Sequence, residues 1–294
     1  MEVILGKLAG FCNGVRNAVE KTEELLKNRD KIYCLGELAH NKQVIKDLEN
    51  DGLIIVDDLN EVPNNSEVIF RAHGVTKSVY QLAKEKNLTV YDYSCVRVIK
   101  LHEDVENMNN NGYYIFLFGD NNHPEVIGTK SFANSEEITV LKDLKEVDSA
   151  INNLKKSNLN KLYICAQTTF SLKKFDELVS IIEEKLEKND NDDNIEIKIN
   201  KSICEATEIR QMETENLARE VDFMVIIGGK NSSNTIKLYE ISKKNCKRAI
   251  HIETKEELEN VDFSKVSKVG VMAGASTPKK SINEVIEYLN KRSM

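Results

Sequence analysis

The chain lacks any uninterrupted apolar run near the ~20 residues that a helix needs to cross a bilayer, so no helical membrane span is expected. Its opening stretch, MEVILGKLAGFCNGV, lacks the basic start and sustained apolar segment of a secretory signal. A cytoplasmic location is therefore expected. An excess of positive charge is lacking too: 41 Lys and Arg stand against 48 Asp and Glu, a formal net charge of −7. Phosphate backbones are bound by clustered Lys and Arg, so no nucleic-acid surface is expected. A small anionic ligand stays open, because a few local donors suffice to hold one. No CxxC occurs among the six cysteines, which leaves no zinc ribbon and no thioredoxin-like site. Six thiols in a reducing compartment do not suggest a disulfide framework either.

What is present describes a folded α/β chain. Of 294 residues, 40% are hydrophobic and 30% charged, too apolar a mixture for disorder. Short Val- and Ile-rich runs recur at 2–6, 31–35, 52–56 and 67–71, then at 88–92, 113–119, 138–141 and 161–166, and again at 195–199, 222–229, 249–252 and 268–274. Such runs suit strands of parallel sheets buried on both faces. Segments between them, including 14–28, 76–87, 171–188, 205–220 and 279–291, carry helical spacing with many Lys and Glu. Alternation of this kind predicts an α/β architecture.

The three sets of runs repeat one another. In each, a strand leads to a cysteine, at Cys12, Cys95 and Cys204, and 28 residues later a second strand leads to a polar loop at His40, His123 and Ser232. A further strand in each set ends in a polar loop, around His73, Thr168 and Ser276. Three equal offsets with matching context indicate divergent repetition. The chain is thus expected to form three related lobes, 1–87, 88–190 and 191–294, about a pseudo-threefold axis. Ligands of open α/β sheets bind at the carboxyl ends of strands, and every loop just named follows a strand. Three cysteines with His, Thr, Ser and Asn groups would share one cavity.

Thiolates select soft centres such as zinc, copper(I) and iron–sulfur clusters. A cubane cluster ordinarily takes four cysteines, so three would leave one iron open to a substrate oxygen. Zinc competes, but cysteine-only zinc sites are structural and closed. Cys34, Cys165 and Cys246 lie in or beside apolar or helical patterns and are read as buried. His102, within a helical pattern, and His251, within a short strand, are read as structural.

Around the cysteines the motifs suit an anion. HPEVIGT at 123–129 sets His123 and Glu125 in one loop at a helix start, with Pro124 where its missing N–H is not needed. GGKNSSNT at 228–235 follows a strand and opens a helix, and its glycines, free N–H groups and Ser232, Ser233 and Asn234 suit phosphate oxygens. With no Arg clamps evident, histidines would supply part of the positive charge.

Taken together, GFCNGV at 10–15, GELAHN at 36–41, AHGV at 72–75, HPEVIGT, QTT at 167–169, SICEATEIRQ at 202–211, NSSN at 231–234 and GAST at 274–277 carry a resemblance over nearly the whole chain. The chain resembles the 4-hydroxy-3-methylbut-2-enyl diphosphate reductase family. The resemblance implies a trefoil of α/β lobes around a [4Fe–4S] cluster held by Cys12, Cys95 and Cys204. It implies reductive removal of an allylic hydroxyl from a diphosphate substrate, with electrons from a ferredoxin or flavodoxin-type donor. It assigns the diphosphate to His40, His73, His123, Ser232, Ser233, Asn234 and Ser276, the substrate hydroxyl to Thr168, and the head of the proton path to Glu125. One departure stands out: the family's Asp-Ala-Thr-Cys-Pro pattern reads DYSCV here, at 92–96. The alternatives are a non-redox iron–sulfur or zinc hydro-lyase on a phosphorylated substrate, and a binding module whose cluster senses oxygen or iron.

Overall fold

A computed structural model describes residues 1–187 and 195–292. Among them are twelve strands: β1 (Glu2–Leu5), β2 (Ile32–Leu35), β3 (Leu53–Val56), β4 (Glu67–Phe70), β5 (Thr89–Asp92), β6 (Tyr114–Phe118), β7 (Ile138–Leu141), β8 (Lys161–Ala166), β9 (Glu196–Ile199), β10 (Phe223–Ile227), β11 (Arg248–Ile252) and β12 (Lys268–Ala273). Ten α-helices alternate with them: α1 (Asn13–Leu26), α2 (Lys42–Asn50), α3 (Lys77–Glu85), α4 (Val96–Asn110), α5 (Pro124–Lys130), α6 (Val147–Ser157), α7 (Leu172–Glu187), α8 (Glu205–Glu220), α9 (Ser233–Asn245) and α10 (Lys279–Lys291). Every apolar run named above coincides with a strand, and each named helical segment with a helix, to within two residues at each end. The expected boundary between 190 and 191, and residue 188 of the 171–188 segment, lie outside the described residues.

The strands make three sheets with parallel ladders, the α/β, three-lobed class that the repeats predict. By contact density the chain divides into two compact units, Met1–Val56 with Glu205–Met294, and Asp57–Cys204.

In the first unit β1, β12, β10 and β11 lie side by side in that order, and β2 pairs with β3. Side chains alternate along β10, as the period of a strand requires. Phe223, Val225 and Ile227 face one core with Ile282, Val285 and Leu289 of α10. Met224 and Ile226 face the other, with Leu217 and Ala218 of α8 and Leu238 of α9. In the second unit the order is β7, β6, β8, β9, and β4 pairs with β5. There Phe116 and Phe118 pack toward α6 and α7, while Ile115 and Leu117 pack toward Leu101 and Val105 of α4 and Val126 of α5. Central strands are thus buried on both faces, as their composition requires.

The strands that open each set behave differently. β1 pairs with β12, β5 with β4 and β9 with β8, so each opening strand lies beside the closing strand of another set. All three are edge strands and keep exposed positions. A single neighbour leaves one side open to water, which is why the expected two-sided burial fails at these three strands. The pairing sets each cysteine loop against a closing-strand loop. Cys12 donates its backbone N–H to Ala275 O at 3.0 Å, Cys95 to Ala72 O at 3.0 Å and Cys204 to Thr168 O at 2.9 Å.

Helix α8 approaches β12 closely at Gly270. A Cβ there would stand 2.5 Å from Met224 Sδ and 2.9 Å from Leu217 Cγ. Overpacking a filled core costs about 1–3 kcal/mol, so Gly270→Ala is expected to lower the unfolding free energy by that amount, read from a urea titration.

Candidate active site

The strand–loop–helix order puts the candidate residues at helix starts, where unpaired backbone N–H groups favour anions. Cys12 is the N-cap of α1, its Sγ accepting the Val15 N–H at 3.5 Å. Cys95 is the N-cap of α4, and Cys204 immediately precedes α8. All three thiols are outside any disulfide and half-buried, whereas Cys34, Cys165 and Cys246 are likewise outside any disulfide but buried, as expected. Burial pushes the Cys165 thiol far up, which suits an inert core residue.

The first unit brings together Cys12, His40, Ser232, Ser233, Asn234 and Ser276. Asn41 caps α2 by accepting from the Gln43 and Val44 amides at 3.1 and 3.2 Å, which fixes the end of the His40 loop. His40 Nδ1 stands 3.7 Å from Glu37 Oε2. The GELAH and GGKN loops meet at Gly229, where a Cβ would stand 2.3 Å from the His40 carbonyl oxygen. Only glycine allows that approach. Gly228, at φ 147°, donates to Ile252 O at 2.9 Å. Its own carbonyl accepts from His251 Nε2 at 2.8 Å, so His251 supports this loop from β11. Ser232 caps α9, accepting from Thr235 N at 3.4 Å. Asn234, in the first turn and 3% exposed, has neither amide atom bonded to the protein. Both amide atoms are thus available to a further polar partner, at a helix start, where unpaired N–H groups favour anions. Ser276 is buried one residue beyond Ala275, the acceptor of the Cys12 amide.

The second unit brings together His73, Cys95, His123, Glu125, Thr168 and Cys204. The His73 and His123 rings meet edge to face, 5.7 Å between centroids. His123 caps α5, its Nδ1 accepting from the Glu125 amide at 3.1 Å. That bond leaves the Nε2 edge as the donor. Glu125, 2% exposed, accepts through Oε1 from the Thr168 amide at 2.6 Å and through Oε2 from the Thr168 hydroxyl at 2.8 Å. Burial raises its pKa to about 7, against the lowering effect of those two bonds. A carboxyl at that value can hold or release a proton at neutral pH. The carbonyl of Thr168 receives the Cys204 amide, so acid, hydroxyl and thiol form one connected group.

Around Cys95 the helix starts at Val96 without the family's proline, and Val96 is 75% exposed. The DYSC segment is held instead by Asp92, which accepts from the Ser94 amide at 2.9 Å and the Tyr80 hydroxyl at 2.7 Å. His102 is structural, as expected, yet central to this unit. Its ring stacks on Phe132 at 4.4 Å. It also fills the space over Gly74 and Gly128, which belong to the His73 loop and to α5; Gly74 sits at φ 74°.

Among the described residues no group of three or more His, Cys, Asp or Glu side chains is placed to hold a single metal ion. The thiolates of a cluster each bind a different iron and need not converge on one point. Cys12 belongs to the first unit, Cys95 and Cys204 to the second. Among the described residues no helix is long and apolar enough to cross a membrane.

Parallel sheets, helix-start thiols and a buried acid of raised pKa define an α/β enzyme. Known proteins make the assignment narrower. The family model described as LytB protein matches residues 3–290. The 4-hydroxy-3-methylbut-2-enyl diphosphate reductase of Clostridioides difficile is 38% identical over 98% of this chain and 99% of its own length. The protein of that name from Alkaliphilus oremlandii is 41% identical over 99% of each. That of Fusobacterium nucleatum, 39% identical, is longer, and this chain spans 34% of it. Among solved structures, the E-1-hydroxy-2-methyl-but-2-enyl-4-diphosphate reductase of Plasmodium falciparum superposes with a TM-score of 0.86 at 31% identity, over 100% of this chain and 88% of that one. A second solved structure, described as the terminal enzyme of the non-mevalonate pathway, gives 0.68 at 37% identity over 99% of this chain and 100% of that one. The chain is an oxidoreductase and belongs to the LytB family of 4-hydroxy-3-methylbut-2-enyl diphosphate reductases.

Burial lowers the His102 pKa to about 4, with the Asp92 charge acting in the opposite direction. A depressed histidine contributes stability above its unfolded pKa, near 6.5, that is lost as pH falls through about 4. His102→Phe should therefore lose less stability than the parent between pH 6.5 and 4 when both are titrated with urea across that range.

Proposed function

We propose that the chain removes the allylic hydroxyl of 4-hydroxy-3-methylbut-2-enyl diphosphate reductively. Two electrons and two protons are consumed, and isopentenyl or dimethylallyl diphosphate leaves with water. The observation that carries this reading is the Glu125–Thr168 pair: a buried carboxyl with a pKa of about 7, bonded to a hydroxyl and an amide.

Cys12, Cys95 and Cys204 would hold a [4Fe–4S] cluster, one from each of the proposed lobes 1–87, 88–190 and 191–294. Three half-buried thiols at corresponding helix starts, set apart from three buried ones, suit that role. When bound, the cluster supplies electrons and Lewis acidity toward the substrate hydroxyl. Thr168 would orient that hydroxyl through its side chain, and Glu125 would deliver a proton to it so that water, not hydroxide, departs. A Thr168 hydroxyl that donates to Glu125 keeps its lone pairs free to accept from the substrate. His40, His73, His123, Ser232, Ser233, Asn234 and Ser276 are assigned the diphosphate, with the α9 start and the buried Asn234 amide among its donors. The electron donor would be a ferredoxin or flavodoxin-type protein, in the cytoplasm.

Anaerobically purified protein is expected to be brown, with about four irons per chain, the cubane stoichiometry. Cys95→Ser should lose most of that iron, and full retention would remove Cys95 from the ligand set. Turnover of the hydroxylated allylic diphosphate should require a chemical reductant; activity without one would favour the hydro-lyase. Glu125 donates only when protonated, so turnover should fall as pH rises through about 7. Glu125→Gln should bind substrate while losing roughly 10²–10⁴ of turnover, the share general acid catalysis supplies, and should lose that pH limb. An unchanged limb would take Glu125 out of the proton path.

A further inference from the structure

The segment that carries Cys12 leaves β1 and runs through Gly6–Phe11 before α1 begins, and two side chains of α8 grip its backbone. Arg210, 3% exposed, donates from Nε to the Leu8 carbonyl at 2.9 Å and from Nη2 to the Gly10 carbonyl at 3.0 Å. Glu213, one turn further along α8, accepts from the Lys7 amide at 2.5 Å and the Leu8 amide at 3.0 Å. Residues three apart share a helix face, so a cation meets carbonyls and an anion meets amides over a stretch of four residues. Hydrogen bonds to ionised groups are about twice as strong as neutral ones. The far side of the same segment is fixed by Gly10, which adopts φ 104°, a conformation that suits glycine. A Cβ on Gly10 would stand 3.0 Å from Ile282 Cδ1. Two residues later comes Cys12, its amide bonded to Ala275 O.

We propose that Arg210 and Glu213 are positioning residues for Cys12. They act as a clamp that fixes the backbone leading to the thiol before any cluster is bound. Helix α8 starts at the residue after Cys204, so the element that leads away from one proposed ligand holds the approach to another. The clamp explains two residues for which the anion pocket and the proton path have no use. Arg210 lies buried within the SICEATEIRQ motif although it faces no predicted ligand contact. Glu213 is a carboxylate engaged by main chain, with no cation required. The inference rests on Cys12 being a cluster ligand, and its test separates the two claims.

The test is amide hydrogen exchange in the full chain, without cluster and after anaerobic reconstitution, resolved over residues 6–12. Glu213→Gln should speed exchange at Lys7 and Leu8 by about tenfold, the equivalent of one charge-assisted hydrogen bond, and Arg210→Met, which removes two bonds to the segment, by at least as much. Exchange in β10 should stay as it is. Alkylation of Cys12 by iodoacetamide in the cluster-free chain should rise by a similar factor, with Cys95 unchanged. Arg210→Lys, which keeps the charge but not the fork, should fall between. Glu215→Gln, on the same helix, should leave residues 6–12 unaffected. Unchanged exchange in Arg210→Met and Glu213→Gln overturns the clamp, and so does equal acceleration in β10. If Arg210→Met fails to fold, Glu213→Gln alone decides, since it leaves both arginine bonds in place. Full iron retention in Cys12→Ser would overturn the ligand reading while leaving the exchange result standing.

Discussion

The pairing of each opening strand with a closing strand of another set is the constraint on which this molecule depends. A parallel ladder fixes two chains in register residue by residue. It therefore also fixes the loops that leave the ladder at its carboxyl end. β1 beside β12, β5 beside β4 and β9 beside β8 deliver the same result three times: a cysteine amide bonded to the carbonyl of a neighbouring polar loop. The thiol and the polar group beside it are thus set by sheet registration, with side-chain contacts adding refinement. The helices that follow contribute their first turns, where backbone N–H groups point at whatever the loop presents.

Glycine and buried charge then tune what the ladders place. Gly229 lets one polar loop approach the carbonyl of another, and Gly74 makes room for His102. Glu125 shows the opposite strategy. Enclosing a carboxyl costs the charged form its hydration, and two bonds from Thr168 recover only part of it. The acid is left near neutrality, the range in which a group can serve as both holder and donor of a proton.

Much of this was legible in the chain because strands and helices announce themselves by period. Runs such as YYIFLFG and LYICA have no charged member to disguise them, and β6 and β8 lie where they do. The shared setting of Cys12, Cys95 and Cys204 beside helix starts was legible from equal offsets, and Cys34, Cys165 and Cys246 are buried as their apolar or helical settings indicate. Strand neighbours were not legible. Nothing in EVIL at 2–5 states that its partner is KVGVMA at 268–273, since pairing depends on topology and not on local pattern. For the same reason Glu125 and Thr168 could be singled out separately but not joined, being 43 residues apart. The contacts of His251, read as structural, and of the Arg210–Glu213 pair escaped for a further reason. Each acts on main chain, which has no side-chain identity to match, so no motif signals the contact.

The place of β1 also bears on the order in which the molecule comes together. Its ladder partner β12 lies more than two hundred and sixty residues along the chain, so the first unit is closed by segments from opposite ends. The second unit, Asp57–Cys204, is continuous. Chains emerge from synthesis in one direction, and long-range pairing is slow because loop closure must come first. The middle of the chain can therefore reach its native packing while Cys12 still lacks the strand that holds its loop. Insertion of any cofactor that needs this thiol belongs at the end of assembly, after the last strand has been made.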